Sequence, residues 1–120
     1  MNKILKPGLS VNLRKPLIRI HKDTLHILGD PEYILLLVNP EDKSVAILPS
    51  DRSDLKAHRI SRYNLKNNKS FELYSTNLVR NLCALGANWK TSGTYKMFGY
   101  EVPGQNVVKF KLEEAQEVIK

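Results

Sequence analysis

The side chains best suited to chemistry in this sequence are three histidines and one cysteine, and their spacing favours no catalytic site. His21, His26 and His58 lack the His-x-x-x-His or His-Glu-x-x-His spacing of a zinc site. Cys83 lies in an apolar stretch, which does not stabilise the thiolate that a nucleophile needs. The sequence contains neither of the glycine-rich patterns of phosphate-binding loops, Gly-x-x-x-x-Gly-Lys and Gly-x-Gly-x-x-Gly. The sequence therefore predicts no enzyme, no metal site and no cofactor.

Positive charge is the next chemical feature. Nineteen lysines and arginines against twelve acidic residues give a net charge of +7. Residues 1–30 contain six basic and two acidic residues, and residues 61–90 contain five and one, so each segment contributes +4. Such a balance favours polyanionic partners such as nucleic acid. The alternative is a solvated surface on which the charge serves only solubility.

Aromatic residues offer a second route to nucleic acid, because bases of a single strand can stack on exposed rings. Aromatic residues in strands more often belong to the core, which is the competing interpretation. The candidates for stacking are Tyr63, Trp89, Tyr95, Phe98 and Tyr100.

The first half of the chain has the pattern of a strand, a short helix and a hairpin. Residues 17–21 alternate after a proline and predict a strand. A cap at Asp23 or Thr24, an apolar face and a final glycine predict a helix over 23–29. The apolar run 33–38, a turn, and residues 44–48 predict a hairpin.

The second half follows the same order. We predict a strand over 70–74, a helix over 75–86 that is capped by Ser75 or Thr76, and a hairpin over 95–112 around a Pro-Gly turn. The helix carries leucines at i, i+4 and i+7 on one face. They are Leu78, Leu82 and Leu85.

This order predicts an α+β fold made of two diverged strand-helix-hairpin repeats, packed as one pseudo-twofold, barrel-like domain. The repeats span about 14–50 and 70–112, with a polar connector over 51–69 and a C-terminal helix over 113–120. A chain of 120 residues has room for one core, so residues 1–120 are predicted to form a single domain.

No stretch of the sequence has the length of a membrane span. The longest apolar run, residues 33–38, is far below the roughly 20 residues that cross a bilayer. Residues 1–7 carry charge but lack the apolar region of a secretory signal. We therefore expect a cytoplasmic protein with no membrane partner.

The segment Ile18-Arg19-Ile20-His21-Lys22-Asp23-Thr24-Leu25-His26-Ile27-Leu28-Gly29, followed by the hairpin 33–49, resembles the swapped-hairpin domains of the AbrB and MazE type. In that family a short strand leads into a helix ending in Leu-Gly, and the hairpin ends in an apolar-apolar-x-Pro pattern. The resemblance covers about residues 14–50, and two copies in one chain look like the MraZ arrangement. His21 stands where the family commonly has proline.

Members of this family are DNA-binding transcription factors and antitoxins, which contact DNA through basic residues around the first strand. Carried over by position, the resemblance implies a site at Arg14, Lys15, Arg19, His21 and Lys22. The second-half equivalents are Arg62, Lys66 and Lys69. Arg19 alternates with two isoleucines, so its side chain should leave the sheet on the opposite face, where it could bind guanine.

The sequence thus predicts a protein that binds double-stranded DNA, as a transcriptional regulator or antitoxin-like protein. The alternative is a non-enzymatic structural or protein-interaction module with no nucleic-acid partner. A homo-oligomer is compatible with both functions, and an enzyme whose site no motif reveals is the remaining class.

Overall fold

The computed structural model describes residues 6–60, 69–86 and 89–118, and within these ranges the fold consists mainly of two antiparallel five-stranded sheets. The first sheet has the strand order β10-β7-β1-β2-β6. Its strands are β1 (Gly8–Asn12), β2 (Leu17–His21), β6 (Ser70–Tyr74), β7 (Thr94–Phe98) and β10 (Gln116–Glu117). The second sheet has the order β5-β3-β4-β9-β8. Its strands are β3 (Tyr33–Asn39), β4 (Ser44–Ser50), β5 (His58–Arg59), β8 (Tyr100–Glu101) and β9 (Val108–Lys111).

The two-residue period of the strands builds one core between the sheets. In β1 and β2, the side chains of Leu9, Val11, Ile18 and Ile20 are all buried, and the residues between them face outward. The second sheet contributes buried side chains to the same cluster from β3, β4 and β9. The inner faces of both sheets therefore share one hydrophobic core.

Two α-helices of the described residues lie outside the sheets. The six-residue α1 (Lys22–Ile27) follows β2 directly, and the Thr24 hydroxyl on it donates a buried hydrogen bond to the Gly8 carbonyl (3.1 Å). The ten-residue α2 (Thr76–Leu85) begins at Ser75, whose hydroxyl oxygen accepts from the Leu78 N–H (3.3 Å). Of the two caps that the sequence offers, Ser75 and Thr76, the structure has Ser75. In the described residues no helix has the length and hydropathy to cross a membrane.

Gly99 divides the first strand of the hairpin that the sequence predicts over 95–112. A Cβ at this position would lie 2.6 Å from the Lys109 carbonyl oxygen and 2.7 Å from the Phe110 ring, so only glycine fits without displacement of its neighbours. The Gly99 N–H donates to the Pro7 carbonyl (3.0 Å). Consequently β7 pairs with β1 in the first sheet, while β8 pairs with β9 in the second.

The predicted fold class is wrong. The chain is a mostly β protein with two antiparallel five-stranded sheets, not two strand-helix-hairpin repeats in a barrel-like domain, and only α2 exceeds seven residues among its described helices. The two halves differ because the second predicted hairpin is split between the sheets at Gly99. The helix predicted over 113–120 is also corrected, since a 3₁₀ helix (Leu112–Glu114) and the short strand β10 occupy residues 112–117.

We predict that Leu82→Ala lowers the free energy of unfolding by about 2–5 kcal/mol, because Leu82 is fully buried on the core face of α2. Chemical denaturation monitored by circular dichroism measures the change. Arg80→Ala on the exposed face of the same helix is the control and should stay within about 0.5 kcal/mol of the parent protein. Equal effects of the two substitutions would contradict the packing of α2 described here.

Candidate nucleic-acid interface

A shallow groove runs along β1 on the outer face of the first sheet, the face turned away from the core. Its floor consists of the small outward residues of β1, which are Gly8, Ser10 and Asn12. Side chains of β2 form one wall and side chains of β7 the other, and together they enclose about 260 Å³. We call this feature the β1 groove.

Two cationic side chains face each other across the β1 groove. Arg19 of β2 and Lys96 of β7 are both register partners of Ser10. Their Cα atoms are therefore two inter-strand spacings apart, about 10 Å. Both residues are exposed. An anion lying over the Ser10 hydroxyl could be contacted from both walls.

Arg19 is also engaged on its other side. Its Nε donates to Oε2 of Glu72 on β6 at 2.8 Å, and the two side chains are 49% and 32% exposed. A pair this exposed is worth roughly 0–1 kcal/mol, so it orients the guanidinium more than it stabilises the fold. The two terminal nitrogens are the ones that can turn to a ligand. The guanine contact that the sequence predicts for Arg19 would have to use them, or separate Arg19 from Glu72.

His21 forms part of the groove wall and also caps a helix. Its Nδ1 accepts from the Asp23 N–H at 3.1 Å at the start of α1. The sequence predicts that Asp23 or Thr24 caps α1, whereas in the structure the N-cap residue is His21. A histidine at this position therefore has a structural role that does not depend on any ligand.

The other predicted basic residues lie near the two ends of the β1 groove. Arg14 and Lys15 are exposed in the β1–β2 turn, where the Asn12 side-chain oxygen accepts both of their backbone N–H groups (3.0 and 3.1 Å). At the opposite end, the Lys22 N–H donates to the Lys69 carbonyl (2.9 Å), which brings the two basic segments of the sequence together. Arg62 and Lys66 lie outside the described residues.

Sequence reasoning missed Lys96 because it is more than seventy residues from the predicted cluster in the chain, and it missed Lys6 because that residue precedes the region of the resemblance, residues 14–50. Their ammonium groups lie 5.2 and 6.0 Å from the centroid of the Phe98 ring, within the range of cation–π interaction. A signal was present in β7, whose outward residues Thr94, Lys96 and Phe98 alternate with buried Tyr95 and Met97.

Negative charge lies on the outer face of the first sheet at its β10 edge. Glu114 and Glu117 line a concavity beside Lys96, and Glu117 pairs with the Lys90 ammonium at 3.4 Å. A polyanion would be repelled from this edge and drawn toward β1 and β2.

In the part of the chain that the structure describes, no three histidine, cysteine, aspartate or glutamate side chains lie close enough together to hold a metal ion. Cys83 is half-buried on α2.

The chain matches no family model, no curated protein and no solved structure. The resemblance to AbrB and MazE domains therefore stays a prediction, and the interface rests on the geometry of this chain alone.

We predict that Glu72→Gln strengthens the binding of polyanions a few-fold, since it removes the negative charge beside Arg19 while keeping the shape of the side chain. The salt concentration at which the protein leaves a heparin column is the measurement. Glu41→Gln, at the exposed turn between β3 and β4, removes the same charge elsewhere and is the control. Identical elution of both variants would show that Glu72 does not modulate this face.

Proposed function

We propose that this protein binds DNA across the outer face of its first sheet, with backbone phosphates held in the β1 groove. The observation that carries the proposal is the placement of Arg19 and Lys96 opposite Ser10 from the two neighbouring strands. A phosphate over Ser10 would receive charge-assisted hydrogen bonds from both walls.

The positions of the remaining basic residues support a binding surface that contacts more than one phosphate of the DNA. Arg14 and Lys15 extend the positive charge at the Asn12 end of the groove, and Lys22 and Lys69 extend it at the His21 end. Each lysine or arginine that contacts a phosphate releases condensed counterions, so affinity should fall steeply as salt is added. The net charge of +7 acts in the same direction at long range.

A role as a transcriptional regulator or antitoxin in the cytoplasm is the biological form of this proposal. It is supported by the sequence resemblance and requires the DNA binding proposed above. A regulatory protein must also distinguish one DNA sequence from another.

We predict that Lys96→Ala weakens DNA binding and lowers the slope of log affinity against log salt by about one, the amount expected for one lost phosphate contact. Fluorescence anisotropy of a labelled oligonucleotide over a series of salt concentrations measures both quantities. Lys111→Ala is the matched control, because Lys111 is exposed on β9 of the other sheet. The proposal is wrong if the unmodified protein does not bind DNA at low salt, or if both substitutions have the same effect.

A second candidate function, protein interaction, is favoured by the outer face of the second sheet. There Leu35 pairs with Leu48, and Leu37, which is 51% exposed, pairs with Ala46. The nearby Lys109 ammonium is bound to the Asp42 carboxylate at 2.5 Å, a contact that holds the pKa of Asp42 below its usual range. With that lysine paired, the outward residues of β3 and β4 form an apolar patch on this face, and a second copy of the chain is the partner we propose for it.

If two copies associate through this face, Leu37→Lys should convert a dimer into a monomer, because it places a charge in the centre of the apolar contact. Size-exclusion chromatography with light scattering measures the mass. Leu55→Lys is the control, since Leu55 is 99% exposed and lies in the loop between β4 and β5. A monomeric parent protein at high concentration would rule out the dimer.

A further inference from the structure

We infer that the DNA bound in the β1 groove is single-stranded, and that the ring of Phe98 is a platform on which one of its bases stacks. This inference rests on the function proposed above and adds the form of the nucleic acid. It follows from the environment of Phe98, from the roles of the other aromatic residues and from the shape of the face.

Phe98 stands on the outer face at the Gly8 end of the β1 groove, and it also lines the concavity that contains Glu114 and Glu117. A base is uncharged, so it can approach this acidic edge while the phosphates of the strand stay over β1 and β2. Phe98 is the register partner of Gly8, and its side chain is 55% exposed. A Cβ built on Gly8 would lie 3.9 Å from Cε1 of the Phe98 ring, so the ring leans over the glycine and is supported from below. A supported ring with exposed surface is able to stack on a base.

Two lysines lie next to the Phe98 ring and could contact the phosphates of a bound strand. The Lys96 and Lys6 ammonium groups lie 5.2 and 6.0 Å from the ring centroid. A base that stacks on the ring would displace one of these ammonium groups. The displaced ammonium could then contact a phosphate of the bound strand. Binding grooves for single strands combine aromatic rings with cations in this way, because every base has a face that can stack.

The other candidate aromatics differ in their surroundings. Trp89 and Tyr95 stack on each other, with ring centroids 4.6 Å apart and an angle of 3° between the planes. Tyr95 is buried, and its hydroxyl oxygen accepts from the Lys90 N–H (2.6 Å), so this pair is structural. Tyr100 belongs to the second sheet, and Tyr63 lies outside the described residues. Phe98 is therefore the candidate that borders the β1 groove.

A second exposed ring, absent from the sequence-based candidates, lies on the same face. Tyr74 lies on β6, where it is the register partner of Leu17 on β2, and it is 67% exposed. From standard strand spacings, it is about 20 Å from Phe98 along a diagonal of the sheet that crosses Ser10 and Arg19. A single strand following this diagonal would meet a ring at each end and cations in the middle.

The shape of the face does not suit a duplex. Sequence in duplex DNA is read mainly by an element that enters the major groove, about 12 Å wide and 8.5 Å deep. Here the centre of the face is a recessed floor of small residues, Gly8, Ser10 and Asn12, and one wall residue, Arg19, is tied to Glu72. In a duplex the bases are also stacked on each other, so Phe98 and Tyr74 would have no partner.

The test compares a labelled single-stranded oligothymidine with a duplex of the same length by fluorescence anisotropy. We expect the single strand to bind more tightly. Phe98→Ala should weaken its binding roughly 5- to 150-fold, the loss associated with one stacked base, and leave duplex binding nearly unchanged. Phe98→Trp should restore or increase affinity for the single strand, which a purely structural role of Phe98 would not produce.

Tyr100→Ala is the matched control, because it removes an aromatic ring that is 44% exposed on the other sheet. Thermal melting of each variant verifies folding. If the single strand and the duplex bind equally and Phe98→Ala has no effect, this inference is wrong while DNA binding as such stands. If neither nucleic acid binds at low salt, both proposals are wrong.

Discussion

The alternation of side chains in β1 and β2 is the constraint on which the rest of the structure depends. Burial of Leu9 and Val11 in the shared core forces Ser10 to the outer face, and burial of Ile18 and Ile20 does the same for Arg19. If β2 shifted by one residue in this pairing, its isoleucines would turn to the solvent and Arg19 would turn into the core. The same physical requirement therefore stabilises the fold and assembles the β1 groove.

Much of the local structure could be predicted from the sequence, because it depends on neighbours in the chain. The strand Leu17–His21, the hairpin of β3 and β4, and the capped helix α2 all follow from local alternation, turns and caps. The pairing of strands could not be predicted in this way. That β2 lies between β1 and β6 is decided by contacts across more than fifty residues, and β1 itself was missed because glycine, serine and asparagine have low strand propensity.

The candidate site shows the same division. Arg14, Lys15 and Lys22 lie close to the first strand in sequence and fall near the ends of the β1 groove. Lys96 arrives from a strand almost eighty residues away, through the pairing of β7 with β1, and no local pattern ties it to Arg19. The pair between Arg19 and Glu72 is equally non-local, since it requires β6 next to β2. Charge composition therefore leads only to a prediction of the ligand class, whereas the position of the candidate site depends on topology.

The small side chains on the floor of the β1 groove have a consequence for how such a protein can diverge. Gly8, Ser10 and Asn12 point away from the core, so the inward residues of β1 set its packing almost independently of them. Ser10 can be exchanged for larger or differently charged residues with little change in the buried contacts. Asn12 has less freedom, because its side-chain oxygen accepts the backbone N–H groups of Arg14 and Lys15 in the β1–β2 turn. Gly8 has room for a small side chain, because a Cβ there would lie 3.4 Å from the His21 Cβ, an ordinary contact distance. Descendants of this chain could therefore acquire new ligands by changes at two neighbouring outward positions, while the strand that carries them keeps its place in the sheet.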